Sequence, residues 1–252
     1  IEVAGSADVD LVGCSVMSNS VAEESFYQGG SGHINTPCVR AVGGVTQSGG
    51  VNLTECSEPW PYSPKADAPF ASVSAPALPS VCSSVPSGSG IIDVPPGRYC
   101  SGFSLNGDYN LTGGVYIVDG GTFRVNSGAK ITGDNVTIYL TNNADLSWNG
   151  HARITLKAPT SGAYEGILLF ADRDTSDTKE LKFNGTANSA LVGAIYAPKR
   201  QVTMLGDFQG SNGCTQIVAS TILLSGNNSF SANCTGMGTV NIAMAGRTRL
   251  TQ

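Results

Sequence analysis

The chain has 252 residues, of which 40% are hydrophobic, only 13% are charged and 32 are glycine, with a net charge of −5. This is too apolar for disorder and too glycine-rich for long helices. No Lys/Arg cluster denser than Lys199-Arg200 exists to track phosphates, so nucleic acid is not an expected partner. No apolar run approaches the ~18 residues that a membrane span needs. The chain starts at Ile1 with no initiator Met or signal peptide, which reads as a processed or truncated start.

In chain order, Val9-Asp10-Leu11, Cys14-Ser15-Val16, Phe26-Tyr27-Gln28-Gly29 and Cys38-Val39 read as short strands of N-terminal coils within residues 1–56. Nine of the twelve prolines then fall between Pro59 and Pro96. Proline cannot donate to a ladder, so residues 57–96 read as an extended strap along the outside of the domain, not as central sheet.

From residue 97 to 252 a unit recurs: apolar, any residue, apolar, then a turn. It reads Phe103-Ser104-Leu105-Asn106-Gly107, Phe123-Arg124-Val125-Asn126, Leu146-Ser147-Trp148-Asn149-Gly150 and Leu181-Lys182-Phe183-Asn184-Gly185. Looser copies are Val202-Thr203-Met204 and Ile222-Leu223-Leu224. The second apolar positions, 105, 125, 148, 183, 204 and 224, are spaced by 20, 23, 35, 21 and 20. The long interval holds Pro159-Thr160-Ser161-Gly162 and the polar stretch Asp172 to Glu180, which read as protruding loops. A second series runs in phase: Gly97-Arg98-Tyr99, Gly114-Val115-Tyr116-Ile117, Val136-Thr137-Ile138-Tyr139, Gly166-Ile167-Leu168-Leu169, Gly193-Ala194-Ile195-Tyr196 and Ile217-Val218-Ala219.

A period near 20 with two or three short β-branched or aromatic strands is what one coil of a β-solenoid requires, with coils stacking about 4.8 Å apart. The expectation is one all-β domain, a right-handed parallel β-helix with disulfides. Asn-Gly would supply the corners. Since Asn-Gly also marks hairpins, an antiparallel β-sandwich is the alternative. Leu105, Val125, Trp148, Phe183, Met204 and Leu224 should form one inward ladder.

The seven cysteines show no CxxC spacing, and His33 and His151 each stand alone, so no metal site or cofactor is expected. Dispersed cysteines in a weakly charged chain read as disulfides and an extracytoplasmic setting: periplasm, cell surface or secreted. Cys214 and Cys234 are one period apart and should bridge adjacent coils. Cys82 and Cys100 bracket the strap's end and should tether it. Cys38–Cys56 is the expected third bridge, leaving Cys14 over, and Cys14–Cys38 is its competitor.

No constellation reads as catalytic. The nearest acidic group is Asp172, Arg173, Asp174 and Asp177 in one inserted loop, whose other reading is a solvated loop with Arg173 paired to a carboxylate. Insertions in solenoids collect on one face and commonly carry binding, so this loop is the candidate contact surface. Trp148 and Tyr164 could stack on sugars, but Trp148 holds an inward slot. Asp119, before Gly120-Gly121, reads as a turn cap.

Several stretches together resemble the C-terminal region of TadG-like proteins of the bacterial Tad/Flp (tight adherence) pilus machinery. They are Pro96-Gly97-Arg98-Tyr99-Cys100-Ser101-Gly102, Gly114 to Gly121, Gly133 to Tyr139, Leu156 to Gly162, Gly166 to Arg173, Gly193 to Pro198 and Cys214 to Ala219. Cys14 to Ser20 and Asp67 to Ala71 extend the likeness upstream. The resemblance implies an extracytoplasmic structural or adhesive module that works with other pilus or envelope proteins or with a surface ligand. The matching positions are turn glycines, core apolars and cysteines, so it implies no catalytic residue. Family members usually begin with a membrane helix, and some carry a von Willebrand A-type domain with a metal site; neither is in these 252 residues. A carbohydrate-binding or carbohydrate-active β-helix is the alternative function.

Overall fold

Alternation of apolar and polar residues builds a rod with three sheet faces. The computed structural model describes residues 1–184, 189–205, 214–226 and 229–233. It shows strands and no helix among them. The strands pair in parallel and stack as a β-solenoid of about 10 turns, which excludes the antiparallel sandwich.

The first face carries residues 97–100, 114–119, Val136–Thr141, Ile167–Ala171, 193–197 and 215–219. The second carries 102–105, 122–125, Asp145–Trp148, Leu181–Asn184, 201–204 and 221–224. The third begins with Ile92–Val94, Asp108–Leu111, Lys130–Gly133 and Arg153–Lys157.

The expected inward ladder forms on the second face. Leu105 pairs with Val125, Val125 with Trp148, Phe183 with Met204, and Met204 with Leu224. All six side chains are buried, while Ser104, Arg124, Ser147 and Lys182 between them are exposed. Trp148 closes edge-on against Phe183, ring centroids 5.4 Å apart, so it is core and not a sugar platform.

The corners between the first and second faces depart from the expected Asn-Gly scheme. Three stacked pairs in left-handed backbone conformation make them: Ser101-Gly102, Gly120-Gly121 and Asn142-Asn143. A Cβ on Gly121 would lie 2.0 Å from the Ser101 carbonyl oxygen, so the corner can stack only with glycine there. Of the Asn-Gly sites of the repeat, Gly107 has positive φ, whereas Gly150 does not, and Gly185 lies outside the described residues; Gly128, in Asn126-Ser127-Gly128, also has positive φ.

The N-terminal coils do not precede the main stack in space; they cap its far end. Glu2 and Val3 pair with Leu223 and Leu224, and Asp8–Val12 pairs with Ser229–Asn233. Beyond them follow Phe26–Gln28 and Val45–Gln47 on the second face, and His33–Thr36 and Val51–Leu53 on the third. Val16–Ser18 and Val39–Ala41 pair on the first face, where Arg40 bridges to Trp60. The rod thus runs spatially from residue 92 to the 229–233 strand and then from Ile1 to Trp60.

The chain must therefore return the whole length of the rod between Trp60 and Ile92, and the proline-rich strap does this. Asn19 exchanges two side-chain hydrogen bonds with the Ala66 backbone, both 2.9 Å. Phe70 packs on Tyr196, the Tyr164 hydroxyl donates to the Ser74 carbonyl (3.2 Å), and Arg98 Nη1 donates to the Pro79 carbonyl (2.8 Å). Beneath the strap, Ile117, Tyr139, Ile167, Phe170 and Tyr196 form an outward apolar stripe that Phe70 and Val73 cover. This is why Val136–Thr141 and Ile167–Ala171 are buried on both faces and read as continuous apolar runs.

Two disulfides fasten this arrangement. Cys82–Cys100 ties the strap's end to the first described coil of the first face (Cα–Cα 5.6 Å), and Cys38–Cys56 joins two N-terminal coils (5.2 Å). The competing Cys14–Cys38 bridge does not form. Cys214 is disulfide-bonded; Cys234, its expected partner, lies outside the described residues. Each described bridge closes a separation of 18 residues, a loop whose removal costs about 3 kcal/mol in the chain-entropy account. Cys82→Ala with Cys100→Ala should therefore lower the melting temperature clearly, with the strap end cut first by limited proteolysis.

Candidate functional site

The inserted loop leaves the first face after Ala171 and returns to the second at Leu181, so it sits on the corner beside the strap. Part of it turns inward, contrary to the expected projecting loop. Arg173 donates to three strap carbonyls, those of Phe70 (3.2 Å), Ala71 (2.9 Å) and Val73 (2.7 Å). Its anchorage is thus to backbone oxygens of the strap, where a carboxylate partner had been the expectation. Asp172 accepts from Thr141 Oγ1 (2.9 Å) and from the Asp174 amide (2.9 Å), an Asx turn that sets the loop's path.

Asp177 is buried and forms an ion pair with Arg200 at 3.4 Å. The Arg200 side chain is only 2% exposed and also donates to the carbonyls of Ala144 and Lys179, both 2.7 Å. A further ion pair reaches Asp145 at 3.3 Å. Burial pushes the Arg200 guanidinium below its ordinary pKa, and Asp177 and Asp145 oppose this. Of the four contact candidates only Asp174 is fully exposed, and Ser176, Thr178 and Lys179 share the exposed rim. Ser176, Thr178 and Lys179 were not singled out from sequence; only a map of which loop carboxylates are consumed internally reveals them.

Asp119 does not simply cap a turn. It accepts from Arg98 Nε (2.6 Å) and from Asn142 one coil further on. Those bonds, that of Asn142 foremost, hold its carboxyl below the usual range. Arg98 thus links the strap at Pro79 to the corner ladder. Among the described residues no three His, Cys, Asp or Glu converge as a metal-ligand set, and His33 and His151 are both exposed.

Tyr139, under the strap, is pushed up to about 12 from 10.0, by burial first and by the Asp172 charge second. A phenol raised in this way contributes stability that is intact below pH 10.0 and is lost as pH climbs through about 12. Base titration followed by phenolate absorbance should show Tyr139 ionising late, together with strap release; Tyr139→Phe should flatten the stability loss in that window.

A cleft of about 710 Å³ opens on the first face where the two halves of the rod meet. On the second face 221–224 is followed by Glu2–Val3 and then Phe26–Gln28; on the third, Ser229–Asn233 is followed by Asp8–Val12 and then His33–Thr36. On the first face, among the described residues, the last strand of the main stack is 215–219 and the first N-terminal strand is Val16–Ser18. Among the described residues no strand pairs with either of the two facing edges. Val3, Leu11, Val16 and Ile34 line its apolar side, and Ala66, Asp67 and Pro69 of the strap flank it.

A family model described as a domain of unknown function (DUF7305) matches residues 83–242, more than half of the chain. The chain belongs to this family. The DUF7305 match starts after Cys82 and takes in the main stack, whereas the N-terminal coils and most of the strap lie outside it. No curated protein and no solved structure matches the chain.

Proposed function

We propose that this chain is an extracytoplasmic structural or adhesive module of a Tad/Flp-type pilus system, contacting other pilus or envelope proteins or a surface ligand. One observation carries the reading. Arg98, Asp119, Arg173, Asp177 and Arg200 are engaged in holding strap, corners and loop to the rod. A side-chain economy of this kind suits a rod that must resist unravelling. The disulfides are compatible with an extracytoplasmic setting, as is the absence, among the described residues, of a helix long and apolar enough to cross a membrane. The resemblance of the Gly97 to Gly102, Gly114 to Gly121 and Gly193 to Pro198 motifs to TadG-like proteins supplies the pilus context.

The contact falls on the exposed rim of the loop: Asp174, Ser176, Thr178 and Lys179. Asp174→Asn, Thr178→Ala and Lys179→Gln combined touch no buried pair, so the protein should melt as before. In the native host this variant should lose surface attachment and co-purification with envelope partners. Unchanged attachment and co-purification would remove the loop from the account. Glycan cleavage by the unmodified protein, lost in the variant, would replace it with a carbohydrate-active β-helix.

A further inference from the structure

We infer that the Cys82–Cys100 disulfide is an exchangeable clasp, opened by a dithiol and holding the end of the strap over the first coil of the rod. The clasp needs none of the partners of the adhesive reading.

The covered coil is made by Ile92–Val94 and Gly97–Leu105. The Ser83 amide donates to the Arg98 carbonyl (2.6 Å), and Val85 packs against the apolar core. A Cβ on Gly97 would lie 2.3 Å from Ser83 Oγ, so glycine there lets the strap come this close. The strap end thus takes up a backbone acceptor on the strand that stands first in its sheet.

The two halves of the strap are held unequally. Residues 66–73 are fixed by Asn19, by the three Arg173 bonds and by Phe70 on Tyr196. Among the described residues, two hydrogen bonds tie residues 75–91 to the rod, and both use Arg98. Its carbonyl takes the Ser83 amide, and its guanidinium reaches the Pro79 carbonyl. Most of this segment is exposed, Leu78, Val81 and Ile91 included. Arg98 and Cys100 share one side of one strand, so these bonds and the disulfide fall on one short patch.

Access separates the bridges. Cys82 is exposed on the strap, and Cys100 is half-buried beneath it. Cys38 is 3% exposed, its carbonyl accepts from the Val16 amide, and the Cys56 amide donates to the Pro37 carbonyl. Cys214 is disulfide-bonded and wholly buried. Exchange requires a thiolate to reach a sulfur, which ranks Cys82 first. The donor thiolate attacks Cys82 Sγ, the S–S bond breaks, and Cys100 Sγ leaves as a thiolate and takes up a proton. The donor's second thiol then displaces Cys82 from the mixed disulfide. The protein gains two thiols and the donor becomes a disulfide, a two-electron exchange. A thioredoxin-class dithiol enzyme supplies this chemistry, and dithiothreitol imitates it. With the clasp open, the strap end rests on Val85 and the two Arg98 bonds, so residues 75–91 fray while 66–73 stay in place.

Dithiothreitol treatment of the native full-length protein tests this, with thiols already present blocked beforehand and newly freed thiols alkylated and mapped by mass spectrometry. Cys82 and Cys100 should be labelled roughly tenfold faster, or more, than Cys38 and Cys56. Hydrogen exchange after opening should rise across residues 75–91 and stay unchanged across 66–73. A thioredoxin-class enzyme whose resolving cysteine is replaced by serine should be trapped on Cys82. Opening of Cys38–Cys56 first, or of both bridges together, would overturn the inference. So would unchanged exchange across 75–91 after opening, since the disulfide would then hold nothing in place. Trapping on Cys100, or no trapping, would overturn the assigned attack.

Discussion

Val125→Asp is expected to abolish folding, while Arg124→Asp leaves the melting curve nearly unchanged. Val125 is 1% exposed and stands between Leu105 and Trp148 in the inward ladder. A carboxylate there has no donor to meet it, and burying it costs several kcal/mol against a total stability near 5–15 kcal/mol. Arg124 alternates outward on the same strand and is exposed. Circular dichroism and thermal melting of the two variants check this pair, and similar melting would mean that the inward and outward positions are exchanged.

Arg200→Ala should be the most damaging single truncation of a polar side chain in the described structure. It would leave the buried Asp177 carboxylate without its cation and the Ala144 and Lys179 carbonyls without their donor. Breaking a buried pair from one side costs on the order of 3–5 kcal/mol. The loop from residue 172 to 180 should then loosen first. Hydrogen exchange should rise at Lys179 and Ala144 before the rest of the rod opens. Asp177→Asn, which keeps a neutral oxygen as acceptor, should cost less than Arg200→Ala.

The coil architecture was legible because period and alternation are local properties. The spacing of 105, 125, 148, 183, 204 and 224 reports the coil length directly, and the first four positions each follow an exposed polar residue, Ser104, Arg124, Ser147 and Lys182. The strap was legible from its prolines. Its apolar underside was not, because Ile117, Tyr139 and Phe170 point outward from the rod and only the strap's course buries them. The corners were misread because Asn142-Asn143 adopts the backbone that Gly120-Gly121 adopts, and no shared motif links them.

The stacking of the N-terminal coils on the far end was not legible at all. Both ends of a growing solenoid present apolar edges of the same kind, so which one accepts a given coil is settled by the reach of the strap. The inward turn of the candidate loop had a faint signal. Lys179, whose carbonyl Arg200 binds, precedes it by 21 residues, one coil period, which places the cation beside the loop. Loop polarity alone suggested exposure, and the burial of Asp177 follows from the pairing.

The central claim is that the chain closes its rod out of sequence order, with residues 1–60 beyond residue 224 and the strap returning outside. Asn52 and Asp93 are both exposed third-face residues and belong to the opposite ends of the rod in this arrangement. Roughly nine coil steps of about 4.8 Å separate them, or about 43 Å. Spin labels carried on non-natural residues at positions 52 and 93, measured by double electron–electron resonance, should give a single distribution centred near that distance. A distribution centred below about 15 Å, the spacing of coils stacked in sequence order, would contradict it.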